Sequence, residues 1–208
     1  MSLIDDVLAA RIVPVVVVND AARAAGLADA LVAGSLPVAE VTLRTPAALE
    51  SIATMAQNTD LLVGAGTVLT PDQVDQAVDA GARFLVSPGF SAETVARAAA
   101  RGVPIVPGTV TPSEVMAGLA AGLTLLKFFP AANYGGAGTL KAFSSVFAKA
   151  RFIPTGGVSE SNIGDYLSLP NVPAVGGSWM VPADVVDSGD FATIQSLCAK
   201  AVAAAASN

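Results

Sequence analysis

The stretch Leu61-Leu-Val-Gly-Ala-Gly-Thr-Val-Leu-Thr-Pro-Asp-Gln-Val-Asp-Gln-Ala-Val-Asp-Ala80 holds the unit from which the whole chain is built. An apolar run that ends in glycines, Leu61 to Thr67, has the length of a buried strand and not of a helix. Thr70-Pro71 then marks a helix start, because a threonine can cap the first free N–H groups and proline lacks the N–H that would be orphaned there. The same order recurs outward in both directions. Further strand runs are Val13 to Val18, Val38 to Leu43, Phe84 to Pro88, Pro104 to Thr109, Thr124 to Phe129, Phe152 to Thr155 and Val172 to Gly176, which makes eight. Helical stretches follow them, several opened by Asp20, Thr45-Pro46, Ser91, Thr111-Pro112 and Ser159. Strand-helix units at a spacing of about 20 to 25 residues imply right-handed crossovers and a parallel sheet, which with eight strands closes into an α/β (β/α)8 TIM barrel. An open doubly wound sheet competes, but no early Gly-x-Gly-x-x-Gly turn joins the first strand to its helix. Residues 2 to 10 are expected to form an extra N-terminal helix across the barrel's N-terminal mouth, and the Ala-rich tail from Ala199 to Ala206 is expected to fray.

The 208 residues suit one domain, residues 1–208, with a single core. A composition 53% hydrophobic and 13% charged fits strands covered on both faces. The net charge of −6 leaves no basic face for a nucleic acid, so none is expected as a partner. A small anion is still compatible, since one or two cations and a helix N-terminus make a site locally positive. The single cysteine, Cys198, excludes an intramolecular disulfide framework and points to a reducing cytoplasm. Acids at Asp5 and Asp6 stand where a secretory signal needs basic residues, and no apolar run approaches about 18 residues, so neither export nor a membrane is expected. The absence of histidine removes His triads, His general bases and His-containing metal sites, and no catalytic transition metal is expected.

Chemistry in such a barrel gathers where the strands end. In Leu-Thr-Leu-Leu-Lys-Phe-Phe-Pro, residues 123 to 130, Lys127 enters an apolar run that a lysine rarely enters without a task. A lysine so placed can snorkel or be paired for structure alone. Desolvation, however, disfavours an ammonium and favours the neutral amine, a nucleophile towards ketones. Strand alternation puts Leu125, Lys127 and Phe129 on one face of the sixth run, and Glu40, Thr42 and Arg44 on one face of the second. If both faces point inward, an amine, a carboxylate and a guanidinium share one lumen. A buried Glu40–Lys127 ion pair is the structural alternative. The functional one gives Lys127 an iminium, Glu40 the protons, and Arg44 a substrate carboxylate held by its planar fork. Those three groups fit a 2-keto acid.

Two glycine pairs extend the pattern. Thr155-Gly156-Gly157 and Gly176-Gly177-Ser178 follow the last two strands, where many barrels bind phosphate. Gly156, Gly157, Gly177 and Ser178 are therefore expected to hold a phosphate, although glycines also simply turn tightly after strands. Thr67 offers a hydroxyl at the exit of the third run, and Thr155 is expected to join it among the substrate contacts. Pro88 and Phe129 are expected to wall the pocket, and Trp179 to pack under the last strand's loop.

The motifs Glu40-Val-Thr-Leu-Arg44, Gly64-Ala-Gly-Thr-Val-Leu69, Ser87-Pro-Gly89, Lys127-Phe-Phe-Pro-Ala131, Pro154-Thr-Gly-Gly157 and Gly176-Gly-Ser-Trp179 together resemble the 2-keto-3-deoxy-6-phosphogluconate (KDPG) and 4-hydroxy-2-oxoglutarate (KHG) aldolase family over nearly the whole chain. The resemblance implies a class I aldolase, usually a homotrimer, without metal or organic cofactor. It makes Lys127 the Schiff-base lysine, Glu40 the general acid and base, and Arg44 and Thr67 contacts to the pyruvate moiety. The loop Ala132-Asn133-Tyr134 departs from the family, which often carries an acidic residue there, and implies a differently shaped selectivity loop. The alternatives in substrate are KHG and the galactonate epimer of KDPG. An alternative in class is a barrel that binds phosphorylated sugar acids without catalysis, against which the presence of both Lys127 and Glu40 speaks.

Overall fold

A computed structural model of the protein describes residues 3–207. Its strands are β1 (Ile12–Val16), β2 (Val38–Thr42), β3 (Leu62–Gly66), β4 (Phe84–Val86), β5 (Ile105–Val106), β6 (Gly108–Thr109), β7 (Leu125–Phe128), β8 (Arg151–Pro154) and β9 (Val175–Gly177). All pair in parallel, in the orders β5-β4-β3-β2-β1-β9 and β6-β7-β8. The result is an α/β fold with a curled, TIM-barrel-like sheet.

The fifth predicted strand is corrected: it is two short pieces, β5 and β6, on either side of Pro107. Proline has no N–H for the ladder, so a strand cannot run through it intact. Its carbonyl still serves, accepting from the Lys127 N–H at 2.9 Å. At the other junction between the two sheets, Thr155 and Gly176 form a parallel bridge. The lysine-bearing sixth run of the sequence is thus β7, and it ends at Phe128.

Helices alternate with the strands because the caps anticipated from sequence largely form. The side chains of Thr70, Ser91 and Thr111 each accept from a backbone N–H three residues on, and Glu114 completes a capping box with Thr111. Glu114 is held below the usual carboxylate range despite its desolvation, since the Val110 and Thr111 N–H groups and the Thr111 hydroxyl all donate to it. Two expected starts are corrected. Thr45 donates to the Val18 carbonyl and the helix begins at Ala48; the helix after Ser159 begins only at Ile163.

The N-terminal segment forms the helix Leu3–Leu8, with Val7 buried; Ser2, within the range expected for it, lies outside the described residues. The last helix, Phe191–Ala206, continues through the tail expected to fray. Ala201 and Ala205 are buried, and the Arg11 guanidinium donates to the carbonyls of Leu167 and Ala205 at 2.9 and 3.2 Å, which satisfies two helix ends at once. Cys198 is buried in the same helix, and burial pushes its thiol up to about 12, away from reactivity.

The buried apolar residues form one continuous cluster. Beside β7 it is aromatic: Phe128 meets Phe143 and Phe152 edge-on, at centroid separations of 6.2 and 6.4 Å. This packing holds the alternate side of β7, so that Lys127 faces the lumen. No helix among the described residues is long and apolar enough to cross a membrane.

Candidate active site

Lys127 Nζ lies 3.1 Å from Glu40 Oε1, and both side chains are buried, 7% and 3% exposed. Two charges are costly to place in so dry a position unless each answers the other. The pair is brought together by register: Glu40 stands beside Gly64 and Val15 in adjacent strands, while Lys127 stands beside Gly108 and Ile153. Below it the lumen is apolar. An inner cavity of about 10 Å³, the size of a single water, is lined by Glu40, Lys127 and Thr155 above Val13, Phe84 and Ile153. Transfer of one proton across 3.1 Å neutralises both groups and yields a free amine.

A second cavity, of about 210 Å³, opens over Arg44, Phe129, Thr155, Gly156, Gly157, Gly177 and Ser178. Arg44 is the one charged residue among the described residues that line it. Its Nε donates to Thr42 Oγ1 at 3.1 Å, and the Thr42 hydroxyl donates in turn to the Val16 carbonyl at 2.9 Å. The threonine's only proton is therefore committed, its lone pair fixes the guanidinium, and the other nitrogens can receive a carboxylate. Gly156 and Gly157 have φ of +92° and +80°, conformations that L side chains rarely adopt. Thr155 lines both cavities and sits between the pair and the glycines.

Phe129 also lies near the pair, its ring centroid 5.0 Å from Lys127 Nζ. Thr67 stands at the end of β3 with φ +59°, an outlier for a β-branched residue. Pro88 does not join the group: it lines neither cavity, and its carbonyl instead packs against Gly108. Trp179 packs its ring against Gly177 of β9. Thr42 was visible in sequence as a residue on the Glu40 face, but its task as a support for Arg44 depends on a turn of the chain after β2 that alternation does not show. Among the described residues no three or more His, Cys, Asp or Glu side chains are placed together to hold a metal ion.

A lysine-carboxylate pair inside a barrel-like lumen, with an arginine and a glycine-rich rim above it, defines a site for carbonyl chemistry on an anionic substrate. Residues 4–197 match the model of the aldolase family described as "KDPG and KHG aldolase", and the chain belongs to that family. It is 48% identical over 199 residues to the 2-dehydro-3-deoxy-phosphogluconate aldolase of Dickeya dadantii, covering 95% of this chain and 93% of that one. The KDPG aldolase structure of Zymomonas mobilis ZM4 with 3-phosphoglycerate superposes with a TM-score of 0.91 at 46% identity, over 97% of this chain and 95% of that one. That of Legionella pneumophila, with pyruvate captured at low pH as a covalent carbinolamine, gives 0.91 at 44% identity over 95% and 97%.

Proposed function

We propose that this chain is a class I aldolase, a lyase that cleaves KDPG to pyruvate and glyceraldehyde 3-phosphate through a Schiff base on Lys127. The observation that carries this is the buried 3.1 Å contact between Lys127 and Glu40, under a cavity with one cation and a glycine rim. Lys127 Nζ attacks C2, and Glu40 protonates the departing hydroxyl to leave an iminium. Glu40 then takes the C4 hydroxyl proton as the C3–C4 bond breaks, and the electron pair moves into the iminium to give an enamine. Glyceraldehyde 3-phosphate departs. Protonation at C3 and hydrolysis release pyruvate and restore the amine. Arg44 holds the C1 carboxylate, Thr67 and Thr155 offer hydroxyls to the pyruvate moiety, Phe129 walls it, and Gly156, Gly157, Gly177 and Ser178 receive the phosphate. Pro88 contributes through its backbone carbonyl, which packs against Gly108 beside Lys127.

Coupled assays for both products test the reaction: equimolar pyruvate and glyceraldehyde 3-phosphate are expected, and a chain that binds KDPG without releasing either would overturn it. A second substrate, KHG, is favoured by the side chains of the outer cavity, which place no lysine or second arginine at the glycine rim. Such a rim can take a carboxylate as well as a phosphate. The specificity constant is expected to be larger for KDPG by at least about tenfold, roughly 1.4 kcal/mol.

The backbone of Thr67 gives a prediction with two signs. A left-handed β-branched residue costs about 1–2 kcal/mol, of which a glycine recovers part after its own entropic penalty. Thr67→Gly is expected to stabilise the fold by about 0.5–1 kcal/mol in a denaturant titration. It is also expected to lower kcat/KM by about tenfold through the lost hydroxyl.

The described fold supports the finer architecture: all 208 residues act as one domain, a closed (β/α)8 barrel with the helix Leu3–Leu8 as an extra element under the lumen. The chain works in the cytoplasm as a homotrimer, without metal or organic cofactor. Exposed Leu69, Met116 and Val146 are apolar surface that association can cover. Sedimentation is expected to give three times the 20.7 kDa of one chain, and a monomer at working concentration would contradict the trimer.

A further inference from the structure

Gly66 ends β3 beside the pair, and its glycine identity has no backbone cause, since it is not among the residues with positive φ. The next residue, Thr67, does occupy the left-handed region that favours glycine, yet it is a threonine. What Gly66 provides is space. A Cβ built on it would clash with Oε1 of Glu40 and would lie 2.6 Å from Cγ and 2.8 Å from Cδ, and these three atoms of Glu40 are its nearest neighbours. Strand register explains the contact. Glu40 is paired with Gly64 and Thr42 with Gly66, so the Glu40 side chain leans along β3 by two residues, towards the strand's C-terminal end, and fills the space that a side chain on Gly66 would take.

We infer that Gly66 is a positioning residue of the reaction: the missing side chain seats the Glu40 carboxylate at the height from which it reaches Lys127 Nζ and the reacting hydroxyls. The inference depends on Glu40 carrying protons as described above. Any side chain at position 66 must push Glu40 off its seat, because the surrounding space is closed. Glu40 is 3% exposed, and its Cγ, inside the clash, is the atom that would have to move. Lys127, held on another strand by Pro107 and the Phe128 packing, does not follow. The consequence falls on proton transfer more than on substrate binding, since Arg44 and the glycine rim are anchored elsewhere.

The test is a double-mutant cycle of Gly66→Ala and Glu40→Ala, read by KDPG cleavage, by exchange of the pyruvate methyl protons in deuterated water, and by thermal unfolding. Gly66→Ala alone is expected to lower kcat and methyl exchange by about a hundredfold with KM changed less than about threefold, and to lower Tm. In the Glu40→Ala background the same substitution has nothing left to displace. There it is expected to change the residual rates less than about twofold and to raise Tm, as alanine outranks glycine in a strand. Equal losses of rate in both backgrounds would overturn the inference, as would a single variant that retains wild-type rates. Should Gly66→Ala alone fail to fold, a folded double variant supports the inference and an unfolded one overturns it. If Glu40→Ala itself leaves cleavage intact, the role of Glu40 fails instead, which is a different outcome from additivity within the cycle.

Discussion

Lys127→Ala is expected to lower kcat for KDPG cleavage by more than about four orders of magnitude, because the step that creates the electron sink is lost and no other group in the lumen can form an iminium. Lys127 is the only amine lining either cavity among the described residues. The fold should survive. Truncating one partner of a buried ion pair can cost about 3–5 kcal/mol, which lies at or below the roughly 5–15 kcal/mol stability of a typical domain. Lys127→Met, which keeps the length of the stem, separates the two effects: it is expected to be as inactive as the alanine variant and closer to wild type in stability. Circular dichroism and a denaturant titration on both variants would check the fold, and near-normal turnover by either would end the Schiff-base mechanism.

The second large effect is expected at Glu40. Glu40→Gln keeps shape and a hydrogen-bond partner for Lys127 Nζ at the 3.1 Å contact, but it cannot exchange protons. A fall in kcat of about 10² to 10⁴ follows, the usual range for losing a general acid–base. The partial reactions should divide. Methyl-proton exchange in pyruvate should fall as far as cleavage, while borohydride should still trap a slower-forming adduct on Lys127. If the Gln variant cleaved KDPG within tenfold of wild type, the protons would have to travel through Thr155 or Thr67 and not through Glu40.

The pair was legible in sequence because charge in an apolar strand is rare, and because alternation fixes which residues share a face. Lys127 and Phe129 lie close together, with the ring centroid 5.0 Å from Nζ, whereas Arg44 lies beyond the end of β2 and lines the outer cavity, not the inner one with Glu40. The limits of that logic lie where a contact depends on the path of the chain after a strand, or on the lean of a long side chain. Pro107 is an example. It sits within an apolar run and is easily read through, yet its missing N–H splits the strand. At Pro88 the strand-end position says nothing of the backbone contact its carbonyl makes with Gly108. The left-handed turn at Thr67 runs against the preference of its residue type, so no propensity could announce it. The seat of Glu40 on Gly66 required the register, since in the linear sequence they are 26 positions apart. The glycine pairs were visible, and the structure adds that Thr155 joins them to the lumen.

Reduction with borohydride in the presence of pyruvate, followed by peptide mapping, bears most directly on the mechanism. A stable adduct is expected on the peptide that contains Lys127, and on no other of the chain's lysines, Lys141, Lys149 or Lys200. A folded protein that gains no mass on reduction, or gains it on another lysine, would contradict the role of Lys127 and with it the tasks given to Glu40 and Gly66.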